Sequence, residues 1–449
     1  MIVMKFGGTS LATPARLRRV AGLVAASAAK RPTAVVVSAL AGVTDALVDA
    51  WEGRLAPGSL ALGLERRHRR YCRDGHLPWV GRWVRWEIRR RVQEARSLAG
   101  REAAAGPQRD RLLAIGERLS VPLAVAALFR EGVRGEPIDG SDLLVLETSG
   151  AEPQVDLEAS GERIRQRIGS LPPSVVPVIT GFIGADSQGR TRTLGRGGSD
   201  TSATVLGVAL GVAGVEIWSD VDGVYSADPA VVPRASPISR LSFADAAAMA
   251  RLGASVIHED CIPTVAAEGI PVRVMNSLNP RAVGTRIGDF PDSPEPLGVA
   301  SVPAARLALS GVGQVPLRER AAQVEAALGR RGIHPLLSSP RPGGWAWVLR
   351  REQAAAATAI LRSHGGAGGS ARWEGASPVA TVALVGGAPA AIEGAAREVL
   401  EGAGIPVLES DSGERSWVLV VDPSSAADAQ RALHGLCRRR LRQPAEVSA

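Results

Sequence analysis

Along the first 290 or so positions, short β-branched apolar runs alternate with alanine-rich stretches of helical period. This pattern predicts an α/β domain built on a mainly parallel sheet. Ile2 to Phe6 reads as a buried strand. Thr13 then caps a helix that opens on Pro14 and continues through Ala15 to Ala29. Further strands are expected at Ala34 to Ser38, Val175 to Gly181, Val215 to Ser219 and Pro271 to Asn276. Between about residues 50 and 112 the strand signal fades into an arginine-rich helical stretch, which reads as a lid or helical subdomain.

The proline-rich run Pro291 to Pro296 marks a linker, and the pattern changes after it. Arg306 to Gly311 reads as a strand and Leu317 to Arg330 as a helix, with another strand after Gly332 and Ile333. Val379 to Val385, Ala390 to Gly402, the residues after Gly404 and Ile405, and Trp417 to Val421 repeat that layout. The repeat is the ferredoxin-like plan, with the glycines of 365–369 between the two copies. The expected division is 1–290, with its helical subdomain at about 50–112, then 297–375 and 376–449.

Composition narrows the classes. Hydrophobic residues make up 45% of the chain, which suits a folded protein rather than a disordered one. Cys72, Cys261 and Cys437 are odd in number and far apart, a usage that favours a reducing cytoplasm over a disulfide framework or a metal site. The N-terminus runs straight from strand to glycine turn without a signal-peptide pattern, and no uninterrupted apolar run predicts a membrane span. The formal net charge of +8 raises a nucleic-acid reading, most sharply where Trp79, Trp83 and Trp86 interleave with Arg82, Arg85, Arg89, Arg90 and Arg91. Only Lys5 and Lys30 are lysines, however, so the basic charge reflects a general use of arginine. An amphipathic helix that packs its tryptophans and solvates its arginines explains the run better, and no nucleic-acid or membrane partner is expected.

Three segments carry chemistry, and no Walker or protein-kinase motif accompanies them. Lys5-Phe6-Gly7-Gly8-Thr9-Ser10 ends the first strand. Its glycines let backbone approach an anion near a helix start, although a plain β-turn has the same look. Thr193 to Asp200 (TLGRGGSD) forms a second candidate anion nest, against the alternative of a Ser/Asp cap after a glycine hairpin. In Trp218 to Pro229 (WSDVDGVYSADP), acidic residues can accept from a ribose or base and Tyr225 can stack. Alternating aspartates make Ca²⁺ a rival there, without the closing glutamate of an EF-hand loop.

Together these segments resemble the amino acid kinase family and, within it, the aspartate kinases. The resemblance extends through Ser38 to Asp45 (SALAGVTD), Gly116 to Ser120 (GERLS) and Leu252 to His258. It implies an amino acid kinase fold followed by two ferredoxin-like βαββαβ ACT domains that sense an amino acid and dimerise. It also implies transfer of the ATP γ-phosphoryl group to the β-carboxylate of L-aspartate, giving 4-phospho-L-aspartate on the route to lysine, threonine and methionine. Lys5 and Asp200 are the implied catalytic pair. Lys5, Gly7, Gly8, Ser219, Asp220, Tyr225 and Asp228 are the implied ATP residues. Ser38, Thr44, Glu117, Arg196, Gly197, Gly198 and Ser199 are the implied aspartate residues. Mg²⁺ would ride on the nucleotide, with no metal site on the protein. The pattern departs from the family at Ser255, Ala230 and Glu259, and at Leu336 to Pro340 in the first ACT unit. Kinases of glutamate, acetylglutamate, carbamate or UMP fit the Arg196/Glu117 pairing and the ACT tail less well. The alternative of another class is an amino-acid-sensing regulator with weakened catalysis.

Overall fold

The computed structural model describes residues 1–74, 80–99, 106–148, 153–254, 256–310, 317–365 and 372–439. Trp79, Ser255, Gly311 and most of the 365–369 glycine run lie outside them. The chain forms two compact units: Met1–Gly223 with Asp260–Asp289, and Val224–Glu259 with Phe290 onward. The segment 224–259, expected with the first domain, groups with the C-terminal residues.

In the first unit, β1 (Ile2–Phe6), α1 (Pro14–Ala28) and β2 (Thr33–Val37) begin the parallel layer, and Thr13 Oγ1 caps α1 by accepting from Arg16 N. The helices α2 (Val43–Trp51), α3 (Pro57–Asp74), α4 (Val80–Leu98), α5 (Pro107–Leu113) and α6 (Ile115–Arg130) follow. After them come β3 (Arg134–Ile138), β4 (Val145–Glu147), β5 (Gln154–Asp156), α7 (Leu157–Gly169), β6 (Val175–Thr180), β7 (Ile183–Ala185), β8 (Thr191–Thr193), α8 (Gly198–Ala209) and β9 (Val215–Ser219). The chain passes through β10 (Arg240–Ser242) and α9 (Phe243–Arg251) of the second unit. It returns with α10 (Cys261–Ala267), β11 (Val272–Asn276) and β12 (Thr285–Gly288).

Within this unit the main sheet runs β12-β11-β9-β1-β2-β6-β3. All of these pairs are parallel except β11 with β12. β1 is therefore central, with Lys5 in register between Val36 and Ile217. A parallel strand covered on both faces is buried along its length, and β2 and β6 are buried at every position. A smaller sheet, β5-β4-β7-β8, leads into the TLGRGGSD loop. The α3–α4 hairpin contributes Leu60, Leu64, Val84, Ile88 and Val92 to the core. Trp83 packs against that core, whereas Trp86 is 56% exposed with the Arg90 guanidinium 5.1 Å from its ring centroid. Pro107–Arg130 is long and apolar enough to cross a membrane by composition, but it is mostly buried inside this unit.

The second unit adds β13 (Gly298–Ser310), α11 (Leu317–Gly329), β14 (Leu337–Arg341), β15 (Gly344–Arg350), α12 (Ala354–Gly365), β16 (Arg372–Val385), α13 (Pro389–Gly402), β17 (Glu409–Ser412), β18 (Ser416–Val421) and α14 (Ala426–His434). Its antiparallel sheet runs β14-β15-β13-β16-β18-β17. Residues 304–310 of β13 pair with β15, and residues 380–385 of β16 pair with β18. Over its first half β13 also pairs with Ala380–Val385. The two ferredoxin-like modules thus share both central strands instead of meeting at residue 375. Separate cores lie under α11 with α12, and under α13 with α14. The carboxylate of Asp245, 1% exposed, receives two hydrogen bonds from Arg415, at 2.9 and 2.7 Å.

Candidate active site

The N-termini of α2 and α8, the first turn of α6 and one glycine turn of the first unit surround a cavity of about 470 Å³. Unpaired N–H groups at helix starts favour anions, so the arrangement suits phosphate or carboxylate ligands. Lys5, Gly8 and Thr9 come from the end of β1 and the turn after it. Ser38, Gly42, Thr44 and Asp45 come from the loop between β2 and α2 and from the first turn of α2. Glu117 lies in the first turn of α6, and Gly197, Gly198, Ser199 and Asp200 open α8. The helix after the second glycine loop therefore starts at Gly198, inside the TLGRGGSD segment. Ser199 and Asp200 lie within its first turn rather than ahead of it.

Lys5 Nζ stands 2.5 Å from Asp200 Oδ1, with side-chain exposures of 12% and 9%. An ion pair so shielded from solvent holds the ammonium in one place. The glycines make that approach possible. A Cβ on Gly8 would lie 2.6 Å from the Ala39 carbonyl, and one on Gly198 would meet Leu194 and Phe182 at 2.8 Å. Gly42, Gly195 and Gly197 adopt φ of 73–74°, which an L side chain resists. Gly7 differs from expectation: its N–H donates to the Trp218 carbonyl at 3.2 Å. That N–H is therefore already engaged, and a Cβ at Gly7 would make only ordinary contact with Lys5 Nζ, at 3.8 Å.

Glu117 is 3% exposed. Its Oε1 accepts from Ala39 N at 3.0 Å, while Oε2 has no hydrogen-bond partner among the described residues. Burial pushes its carboxyl up to about 8, against the pull of the Ala39 N–H and the Arg118 charge. A buried carboxyl with one unpartnered oxygen, on a residue that lines the cavity, is suited to a cationic ligand group. Arg196 is exposed and sits between the two left-handed glycines, outside the residues that line the cavity.

Several supports were not read from the sequence. Asp110 of α5 accepts from Thr193 Oγ1 at 2.7 Å and pairs with Arg192 at 3.2 Å, fixing the entry to the second glycine loop. Ser277 Oγ donates to Ser10 Oγ at 2.8 Å, and Ser10 Oγ donates to the Trp218 carbonyl at 3.3 Å, tying the first turn to the end of β9. Asn276 Nδ2 donates to Asp222 Oδ1 at 2.7 Å. That bond holds the DVDG turn, and no group of three His, Cys, Asp or Glu among the described residues is placed to hold a metal ion. Hydroxyls and amides paired across 54 to 267 residues leave no periodic or motif signal.

On the expected nucleotide side, Ser219 Oγ donates to Asp220 Oδ1 at 3.2 Å in the first unit. Tyr225 and Asp228 belong to the second unit. There Tyr225 forms a bridge with Pro237, and Asp228 Oδ1 accepts from Ala230 N at 2.9 Å.

A central parallel sheet thus carries the glycine turns and helix starts that enclose the lysine–aspartate pair. The chain belongs to the amino acid kinase family, whose sequence profile matches residues 1–276. It is 35% identical over 297 residues to the lysine-sensitive aspartokinase 3 of Escherichia coli K12, covering 66% of this chain and 65% of that protein. It is 33% identical over 294 residues to the chloroplastic aspartokinase 1 of Arabidopsis thaliana, covering 64% and 51%. The chain thus spans about half to two thirds of the length of these curated relatives. Among solved structures, E. coli aspartokinase III in complex with aspartate and ADP superposes with a TM-score of 0.86 at 29% identity, covering 97% of this chain and 99% of that one.

Proposed function

We propose that this chain is an ATP-dependent aspartate kinase. One observation carries the reading: a single cavity is lined both by Lys5, on a glycine turn, and by Glu117, whose buried carboxyl keeps one oxygen without a partner among the described residues. The likeness to aspartokinase III with aspartate and ADP supports the same assignment.

The acceptor carboxylate is already ionised near neutral pH, so no general base is required. The task is to bring two anions into line and to neutralise charge on the phosphoryl group in flight. In the proposed arrangement Lys5 lies against the ATP phosphates, and Asp200 orients it. Gly8 and the start of α8 present backbone close to the phosphates. Glu117 takes the substrate's α-ammonium and Arg196 its α-carboxylate, the latter through a planar fork suited to two oxygens. Ser38, Thr44, Gly197, Gly198 and Ser199 complete the aspartate pocket, and Ser219 and Asp220 the nucleotide side. Mg²⁺ bound to the nucleotide supplies further charge neutralisation.

The proposed division is a catalytic domain within 1–290 followed by two ACT modules, which would carry an amino-acid effector site and a homodimer contact. E. coli aspartokinase III in its T-state is in complex with lysine and aspartate. In this chain the strand from Leu337 carries Ser338 and Ser339, whose hydroxyls donate to Glu325 and Glu409. These carboxylates are already engaged, so lysine feedback is not expected. A cytoplasmic location fits the cysteine usage.

The test is ADP release, or hydroxamate capture of the acyl phosphate, with aspartate as acceptor and with lysine, threonine, methionine or diaminopimelate added. Turnover with aspartate and none with glutamate supports the reading. The second reading, an amino-acid-sensing regulator, draws on Ala230, where the family pattern has an arginine. Amino-acid binding by calorimetry without turnover would favour it.

A further inference from the structure

Two side chains of α3 reach back to the walls of the cavity, and the mechanism above uses neither. Tyr71, 4% exposed, donates its hydroxyl to the Leu11 carbonyl at 2.6 Å. Leu11 closes the short turn Gly8–Leu11 that follows Lys5. Burial pushes the phenol up to about 12, so it remains a donor through neutral pH. One helical turn earlier, Arg67 donates to the Ala41 carbonyl, and its guanidinium lies beside Gly42. Residues four apart share a helix face. One face of α3 therefore holds a carbonyl from each of two separate loops.

Those loops also touch each other. Ala41 N donates to the Gly8 carbonyl at 3.3 Å, and the space above Gly8 is closed by the Ala39 carbonyl. One loop carries the proposed phosphate turn. The other, between β2 and α2, carries Ser38 and Thr44 of the proposed aspartate pocket. Any shift of one against the other changes the distance between donor phosphate and acceptor carboxylate, and reaction rates are steep in that distance. Packing of Leu60 and Leu64 already anchors α3 to the core, so the two polar contacts are not needed merely to hold the helix.

We propose that Tyr71 and Arg67 are positioning residues, a clamp on α3 that sets the phosphate turn and the aspartate loop at their working separation. The proposal rests on the kinase reading of the cavity. It assigns the helical hairpin a part in catalysis although no residue of the clamp touches a reacting atom. The two contacts divide by substrate, Tyr71 serving ATP and Arg67 serving aspartate.

The test uses Tyr71→Phe, Arg67→Met and Arg67→Lys in the full chain, with steady-state kinetics and hydrogen exchange read by mass spectrometry. Tyr71→Phe is expected to lower kcat/KM for ATP by about tenfold, through kcat as well as KM, the effect of one lost buried hydrogen bond, and to leave KM for aspartate unchanged. Arg67 is exposed, so Arg67→Met is expected to raise KM for aspartate by a smaller factor, about two- to threefold, and Arg67→Lys, which keeps a donor, to restore most of it. Amide exchange should quicken over residues 8–12 in the first variant and over 39–44 in the second. Variants that lose thermal stability while keeping both Michaelis constants and both exchange patterns would overturn the clamp. If the unmodified chain shows no turnover the kinase reading fails, and the exchange patterns still decide whether α3 holds the two loops.

Discussion

Lys5 is one of two lysines in a chain with 53 basic side chains, and it is placed where a compact ammonium fits between strand and phosphate turn. A guanidinium there would meet Asp200 in a space whose glycines leave no slack. Lys5→Arg is expected to lower kcat by about a hundredfold or more, measured by ADP release, since preorganised charge is lost at the transferring group. Near-normal turnover would remove Lys5 from the mechanism. Glu117 offers a test in pH. Its folded value of about 8 lies above the ordinary 4.5, so the folded state holds its proton more tightly. The stability this contributes is complete below about pH 4.5 and is lost as pH rises to about 8. Glu117→Gln should flatten the melting temperature across that window. An ammonium ligand would draw Glu117 into its ionised form, so aspartate binding near pH 7 should release a proton. Calorimetry in two buffers of different ionisation enthalpy would detect it, and Glu117→Gln should abolish the release and weaken binding about tenfold or more. Both residues were legible because each sits in a compact local motif. Asp110, Ser10 and Ser277 were not, because their partners are distant in sequence and their residue types are common on any surface.

Two glycines illustrate how differently the elements constrain their backbone. Gly8 has the Ala39 carbonyl 2.6 Å from where a Cβ would stand, whereas Gly63, midway along α3, has nothing within 4 Å. Gly63→Ala should stabilise the chain by up to about 1 kcal/mol in urea unfolding, the helix-propensity difference. Gly8→Ala should displace the turn and reduce nucleotide affinity in the same preparation. A neutral Gly8→Ala would mean that the turn is looser than its contacts imply. At this scale the long buried strands β1, β2, β6, β9 and β11 were readable from their apolar runs. The three-residue strands β4, β5, β7 and β8 are too short for any period to register. The central strands of the second unit were read only in part, as Arg306 to Gly311 and Val379 to Val385. Pro303 and Pro378 interrupt the pattern just before each, and a proline ordinarily argues against a continuing strand. Both prolines are nonetheless paired across the β13–β16 ladder, opposite Ala380 and Ala305.

At the scale of the whole molecule, the composition and the linker announced more than one body, but not that 224–259 would join the C-terminal one. Asp245 of that segment is buried against Arg415, which also donates to the Ser293 carbonyl at 2.9 Å in the proline-rich run. Arg415→Met leaves a buried carboxylate unpaired and should cost about 3–5 kcal/mol in thermal or urea unfolding. Pairing that change with Asp245→Asn should recover part of the loss, and strictly additive losses would mean that the two groups are not coupled. The shared strands of the two ferredoxin-like modules have a practical consequence for anyone recombining this chain with its relatives. A junction at residue 375 falls inside β16 and splits a strand that both modules need. Each fragment would then carry an unsatisfied sheet edge, open to pairing with neighbouring chains. For protein engineers the transferable cassette is therefore the whole second unit, from Gly298 through α14 together with the 224–259 segment, moved as one part or not at all.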